Sequence, residues 1–346
     1  MHFWPFFTQA STFQFPSIFS NTPHPTLQLR VLSFNIRYAT SSPFTNEKPW
    51  PERFPLVLNQ LQHETRFLDA SIICLQEVLH NQLIDLLNGL NGLPPSSDES
   101  QAPADGPIWA HVGEGRDDGD TKGEYSPVIY PVNIFRLLHH ETIWLSPTPD
   151  RPSKGWDAGS TRILTVAVLE YKSSGQRVLA SATHLDNEGP ESRKNSVIVI
   201  LETLKRVEKD WATDNLLPIF LAGDFNSFPD QEAYLGMARS DYMYDLHEYT
   251  KPKRRYGEQL TYTGFDSDKD KDEQGRIDFI WLGPKDGVCS PPKSDNSSTA
   301  VTNVPKNCPW IVDGYAVLPN VFEDGVYLSD HRCVVGDLRL RCCSIA

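Results

Sequence analysis

The sequence predicts an α+β fold in which two mostly antiparallel sheets pack face to face with helices on their outer faces. Three observations carry that reading. Strand-like runs outnumber helical ones, several follow one another closely enough to form hairpins, and no regular strand–helix–strand repeat runs along the chain. With 346 residues, 39% hydrophobic and 11% aromatic, the chain can bury a sizeable core. A charged fraction of 22%, mixed in sign, is too low for a disordered chain.

Residues 1–26 are rich in Phe, Pro, Ser and Thr without a steady period and read as an irregular leader, with one domain over 27–346. The leader lacks a basic start and a continuous apolar stretch, so it makes a poor secretory signal. Leu29–Asn35 (LRVLSFN) alternates and ends in a polar cluster, which predicts a strand. Over 52–70, Phe54, Val57, Leu58, Leu61 and Leu68 fall at helical spacing. Ser71–Glu77 (SIICLQE), a short apolar run closed by charge, suits a buried strand. A helix over Asn81–Leu90 and a Pro/Ser/Asp-rich loop over 94–107 follow.

Further strands are expected at Ile108–Val112, Ser126–Pro131, Glu141–Leu145, Arg162–Tyr171 and Arg177–Asp186. Helix 190–210 carries Val197, Ile200, Leu201, Leu204 and Val207 on one stripe. Strand Pro218–Gly223, helix Asp230–Ala238, strand Arg276–Leu282, a loop over 284–309 and strands over 312–318 and 331–340 complete the chain. There is no internal repeat and no linker that divides it.

A formal net charge of −13 and a pI near 5.2 argue against a non-specific grip on long nucleic acid, which needs a basic stripe to neutralise phosphates. A local basic groove or a metal still works inside an acidic shell. The one basic run, Lys251 to Arg255, reads as a solvated loop or as a landing point for a polyanion. Of the six cysteines, no two have metal-ribbon spacing. Cys74 and Cys333 sit in apolar runs as small buried hydrophobes, while Cys289 and Cys308 flank a polar loop and would pair only in an oxidising compartment. No apolar run is long enough to span a bilayer, so the default expectation is a cytoplasmic protein without membrane contact. The sequon at Asn296 matters only outside that default.

The chemistry lies at the strand ends. Asn35 ends one strand, Glu77 the next, and His184 with Asp186 a third. Asp224 and Asn226 end a fourth, Asp330 and His331 precede the last, and Asp278 lies within RIDFIWL. Converging at one edge, they would form a cluster of carboxylates, amides and imidazoles. Oxygen ligands with amide support suit Mg²⁺ or Mn²⁺, and two histidines supply proton transfer and a cationic donor to phosphate oxygens. With a metal, that set can hydrolyse a phosphoester.

Each residue alone also has a plain structural reading. Asn35 can cap a turn, Glu77 can return the chain to solvent, and His184 can be a satisfied core histidine. Gly223 to Asn226 can be a turn, and Ser329-Asp330 an ordinary cap. The weight comes from the joint arrangement. Three other patterns fail. The acidic run Asp266–Asp272 lacks the glutamate that closes a calcium loop, Gly113, Gly115 and Gly119 miss dinucleotide spacing, and His139-His140-Glu141 is not a zinc-protease helix.

SFNIRY, LQEVL, THLD, GDFNSFPD, RIDFIWL and LSDHRCVV, in that order, resemble the motif series of the endonuclease/exonuclease/phosphatase superfamily, the DNase I-like group. The resemblance runs from about residue 29 to 340. VGEGRDDG, GEYSPVIY, IWLSPTPDRPSKGWDAGSTRIL and THLDNEGPESRKNS are most similar to a subgroup of small metal-dependent hydrolases common in bacteria and fungi. It implies a four-layer α/β/β/α sandwich with the site at one edge.

It also implies roles. Glu77 would be the principal metal ligand, supported by Asn35 and Asp330. Asp224 would orient or deprotonate the attacking water, and Asn226 would help to hold it. His331 would donate to a phosphate oxygen or act as acid or base, with Asp278 fixing its tautomer, and His184 would make a second phosphoryl contact. Arg37, Arg116 and Arg162 lie in or near the matched motifs and would bind a second phosphate or acidic substituent, or else pair with local acids. The implied activity is divalent-metal-dependent phosphoester hydrolysis by in-line attack of water without a covalent intermediate, on a small phosphomonoester or phosphodiester. The rival readings are a nuclease using the same site, with 251–255 as a phosphate contact, and a binding module that keeps the fold without the chemistry.

Overall fold

The structure, a computed structural model, describes residues 27–94, 106–213, 216–265, 274–285 and 310–340. The first half contains strands β1 (Leu27–Asn35), β2 (Ser71–Gln76), β3 (Trp109–Val112), β4 (Val128–Pro131), β5 (Phe135–Trp144) and β6 (Ile163–Tyr171). Later come β7 (Arg177–His184), β8 (Ile219–Asp224), β9 (Tyr244–Asp245), β10 (Arg255–Gly257), β11 (Asp278–Gly283), β12 (Trp310–Val317) and β13 (Val334–Leu340). The helices are α1 (Trp50–Thr65), α2 (His80–Leu90), α3 (Pro190–Trp211), α4 (Glu232–Arg239) and the short α5 (Leu246–Tyr249).

One sheet has seven strands in the order β10-β12-β13-β1-β2-β4-β3, the other six in the order β5-β6-β7-β8-β11-β9. Residues of β2 and β8 are buried throughout, because both strands are central and covered on both faces. Alternation divides their side chains between two cores. Leu29, Val31, Ile72 and Cys74 face Ala180, Ala182, Phe220, Ala222 and Ile280 between the sheets. Leu32, Phe34, Ile73 and Leu75 point outward under α1 and α2, against Leu61, Leu83 and Leu87. Leu179, Ile219, Leu221 and Trp281 point the other way under α3 and α4, against Ile200, Leu204 and Met237. Four layers result, as the motif resemblance implies.

The pairing is mixed. β1–β2, β7–β8 and β10–β12 run parallel and the remaining neighbours antiparallel. Parallel pairing matters for the site, because it brings the C-terminal ends of β1 and β2, and of β7 and β8, to common edges. Two expected boundaries need correction. β5 starts at Phe135 rather than Glu141; a register shift between Leu137 and His139 breaks the alternation that would have announced it. α1 ends at Thr65, so Leu68 falls beyond it, and the adjacent Phe67 is exposed. The small elements over 244–257 were not foreseen; each is too short for a periodic signal.

Cys74 and Cys333 are buried free thiols, as expected. The leader 1–26, Asp266–Asp272, Cys289, Cys308 and Asn296 lie outside the described residues. No helix among the described residues is long and apolar enough to cross a membrane.

Candidate active site

Register places the chemistry. Across β7, β8 and β11, His184 pairs with Asp224 and Asp224 with Asp278, so one row of the six-stranded sheet carries an imidazole and two carboxylates, with Asp224 in the middle. Asp278 therefore opens β11 rather than lying inside it. In the facing sheet, Asn35 pairs with Gln76, and Glu77 follows immediately. The Asn35 amide joins the two sheets: its Nδ2 donates to Glu77 Oε1 (3.1 Å) and to Asp224 Oδ2 (3.0 Å). Its Oδ1 accepts from the Arg37 backbone N–H at 3.0 Å, so nitrogen rather than oxygen faces the carboxylates.

Three of the strand-end residues have left-handed backbones although none is glycine: Arg37 (φ 58°), Glu77 (φ 58°) and Asn226 (φ 44°). Such conformations cost on the order of 1–3 kcal/mol each and persist where surrounding structure fixes them. At Glu77 the fixing contacts are the Tyr38 N–H on Oε2 (3.2 Å) and Asn35 on Oε1. At Asn226 they are the amide donations to Leu185 O and His184 Nε2, both 2.9 Å, and the backbone N–H on Asp224 Oδ1 at 2.8 Å.

The two histidines have opposite electrostatics. Burial pulls His331 down, but Asp278, whose Oδ2 lies 2.9 Å from Nδ1, and Asp224, 3.6 Å from Nε2, outweigh it and hold the imidazolium well above its usual range. Burial and then Arg162 pull His184 down to about 3, so it is neutral. Asn226 Nδ2 donates to its Nε2, which leaves the proton on Nδ1, 3.7 Å from Glu124 Oε2.

The carboxylates are crowded. Burial and then Asp278 raise Asp224. Burial drives Asp330 up to about 6, with His331 opposing and Glu77 adding to the rise. Burial and Glu124 also push Glu77 up, yet its basic neighbours, His184 first and then Arg37 and His331, outweigh them and hold it down.

The donor set fits a hard divalent cation. Glu77, Asp224 and Asp330 are carboxylates that line one cleft, and oxygen donors of this kind suit such an ion. Asp224, Asp278 and His331 also bring donor atoms within 4.8 Å of one another. That second group, however, is already joined by the His331–Asp278 hydrogen bond.

A cleft of about 680 Å³ opens over this floor, lined among others by Glu77, His184, Asp224, Asn226, Asp330 and His331. Arg37, Arg116 and Arg162 line it too, each with an acidic partner: Glu47 for Arg37 (3.2 Å), Glu124 for Arg116 (2.7 Å) and Asp186 for Arg162 (3.3 Å). Asp186 is not part of the reactive cluster. It is fully buried and accepts from the N–H groups of Gly159, Ser160, Glu188 and Gly189 as well as from Arg162, so its oxygens hold the loop before β6 against the start of α3.

Four contributors were not among the site residues expected from the sequence. Glu124 stands between Arg116 and His184, inside the GEYSPVIY stretch. Ser329 donates to Asn35 O (2.7 Å) and accepts from His331 N–H (3.2 Å). Tyr262, whose ring centroid lies 4.9 Å from that of His331, arrives from a loop with no local signal. Arg53 of α1 is 1% exposed and donates to the carbonyls of Lys48, Ile36, Arg37 and Leu328, tying the helix to the segments that carry the site. An arginine on the apolar face of a helix was the available signal.

Comparison with known proteins agrees with this fold. A structure of an endonuclease/exonuclease/phosphatase from Bacteroides vulgatus is 29% identical, with a TM-score of 0.70, over 90% of this chain and 99% of that one. The mannosyl-6-phosphatase Bt3783 of Bacteroides thetaiotaomicron VPI-5482 is 27% identical, with a TM-score of 0.69 and the same coverages. The Ccr4 3′-5′-exoribonuclease subunit of the CCR4-Not complex of Mycosarcoma maydis is 25% identical over 59% of this chain, and the match spans 34% of that protein. The Endonuclease/Exonuclease/phosphatase family model matches residues 32–331. The chain thus belongs to the endonuclease/exonuclease/phosphatase family and is a hydrolase of phosphoester bonds.

Proposed function

We propose that the protein hydrolyses a small phosphomonoester or phosphodiester with Mg²⁺ or Mn²⁺, water attacking phosphorus in line without a covalent intermediate. The observation that carries this reading is the floor itself: a metal-suited carboxylate pair, Glu77 and Asp330, beside a basic buried carboxylate, Asp224, and a cationic histidine, His331. Glu77 and Asp330 would hold the metal, which when bound offsets charge on the phosphoryl oxygens.

Asp224 Oδ2 accepts the proton of the attacking water, a task favoured by its raised basicity. Both amide hydrogens of Asn226 are taken by His184 and Leu185, which leaves its Oδ1 to orient that water. His331 Nε2–H donates to a phosphoryl or leaving-group oxygen, and Asp278 keeps Nδ1 protonated and the ring oriented. His184, neutral and with Nε2 accepting from Asn226, positions Asn226 rather than donating to phosphate itself.

The test is hydrolysis across a phosphoester panel with Mg²⁺ or Mn²⁺, with and without chelator, each substrate run beside Glu77→Gln. The panel holds bis-p-nitrophenyl phosphate, sugar phosphates, nucleotides, plasmid DNA and short RNA. Chelator-sensitive turnover that falls about a hundredfold or more in the variant supports the proposal. Wild-type turnover in Glu77→Gln, or no activity and no metal binding, would overturn it. Likeness to an exoribonuclease keeps a nuclease as the second reading. Activity on RNA or DNA with a steep salt dependence would favour it.

A further inference from the structure

The cleft wall beyond His184 contains positive charge that the proposed hydrolytic floor does not use. The three cleft arginines differ in how fully they are paired. Arg37 pairs with Glu47 and, at 3.6 Å, with Glu77, and its guanidinium is stacked between the rings of Tyr38 (4.2 Å) and Phe44 (4.6 Å). Arg162 is 5% exposed and donates from Nε to Asp186 and from Nη2 to Asn187 (2.7 Å), but its Nη1 has no hydrogen-bond partner among the described residues. Arg116 donates from Nη1 to Glu124, and its Nε makes no hydrogen bond among the described residues, with Asp117 Oδ1 4.0 Å away as an ion-pair partner. The Nδ1 of His184, which carries that ring's proton, also makes no hydrogen bond among the described residues, Glu124 Oε2 lying 3.7 Å from it.

A buried donor left without an acceptor costs on the order of 1–3 kcal/mol, so several in one wall call for an acceptor that the described residues do not supply. The position of that wall is set by the His184 ring. Its Nε2 faces Asn226 and Asp224 on the floor (2.9 and 3.5 Å), and its Nδ1 faces Glu124 and, through it, Arg116. Arg162 is anchored two and three residues past His184, on Asp186 and Asn187. Glu124 and Arg116 therefore lie on the Nδ1 side of the ring, away from Asn226 and Asp224, and Arg162 lines the same cleft. The cleft also holds far more than one phosphoryl group.

We infer that Arg116 and Arg162, with the Nδ1–H of His184, form a second oxyanion subsite, and that the substrate is a small phosphoester whose organic part carries another phosphate or a carboxylate. Guanidinium groups suit this task, because their planar forks match both oxyanions and stay charged at any working pH. The inference rests on the phosphoester reading of the floor. It adds that selectivity comes from the remote anion.

The experiment compares fructose 6-phosphate, fructose 1,6-bisphosphate and 6-phosphogluconate, by turnover in the wild type and by calorimetric binding in Glu77→Gln with Mn²⁺. The expected result is a preference of about tenfold or more for one of the doubly anionic compounds, the magnitude of one well-formed charged contact. Which of the two is preferred identifies the second group. In Arg162→Gln and in Arg116→Gln the ratio of doubly to singly anionic substrate should collapse toward one, with Arg162→Lys intermediate. Reading a ratio separates recognition from a general loss of structure, and Arg116→Gln serves if Arg162→Gln does not fold.

Equal treatment of all three compounds by the wild type would overturn the subsite. So would an equal loss on all three in the arginine variants, which would place these arginines on the reacting phosphoryl group. If the wild type turns over none of them while Glu77→Gln still binds the doubly anionic compounds more tightly, the subsite stands and the hydrolytic reading fails. If neither turnover nor selective binding is seen, both fail.

Discussion

Asp278 and His331, 53 residues apart in the chain, meet in a buried hydrogen bond of 2.9 Å between Oδ2 and Nδ1. Asp278 opens a strand and His331 lies just before another in the opposite sheet, so the bond crosses the sandwich. It keeps one histidine cationic while its counterpart, His184, stays neutral.

Removing that carboxylate charge should slow the chemical step more than it weakens binding. In Asp278→Asn the expected change is a fall in kcat of about a hundredfold with KM changed only a few-fold, because His331 acts on charge that develops in the transition state. Steady-state kinetics on the best substrate of the panel decide it. A loss confined to KM would contradict the role given to the pair.

Asn35 holds Glu77 and Asp224 apart by donating to both. Asn35→Ala should leave two like charges unbuffered and lower Mn²⁺ affinity about 10–100-fold, the usual cost of losing a group that orients a ligand. Titration calorimetry against the wild type measures this. Unchanged affinity would mean that the cation does not rest on Glu77.

Arg53 is a structural counterpart to the site. Its buried guanidinium is lowered in basicity by burial and satisfies four carbonyls, among them the two that follow Asn35 and the one preceding Ser329. Arg53→Met should cost about 3 kcal/mol or more, since it orphans several buried acceptors, and Arg53→Lys should recover only part. Chemical denaturation gives the number. A neutral Arg53→Met would show that the carbonyls find other donors.

Asp186 makes stability depend on acid. Burial alone would raise its pKa, but the N–H groups of Gly189, Gly159 and Ser160 and the Arg162 charge outweigh it and hold it at about 2. A folded-state pKa below the unfolded one means stability that is present above about pH 4 and is lost as the pH falls through about 2. Asp186→Asn should therefore be less stable than the wild type by about 1–3 kcal/mol near neutrality. The difference should shrink between pH 4 and pH 2. Urea denaturation across that range tests both statements; a gap that stays constant would remove Asp186 as its source.

Much of the molecule was determined by local sequence. Alternation in LRVLSFN, the closed apolar run SIICLQE and the stripe from Val197 to Val207 specify strands and a helix because burial on one face needs that period. The polar ends of those strands were legible for the same reason: a carboxylate, amide or imidazole closing an apolar strand stands out against its surroundings. Strand β5, with its irregular register, and the short elements over 244–257 were not, because a bulge or a three-residue strand leaves no period to detect.

Only the tertiary structure decided which polar ends meet. Asp186 and Asp224 look alike in sequence, each following an apolar strand, yet one is surrounded by backbone N–H groups and the other faces two histidines. Arg37 and Arg162 look alike too, yet one is paired and stacked while the other keeps an unpartnered N–H. The reason is physical: the period of a strand is set by its neighbours in the chain, but the charge and hydrogen bonding at its end are set by residues from other strands. Parallel pairing of β1 with β2 and of β7 with β8, and the packing of one sheet on the other, bring those residues together.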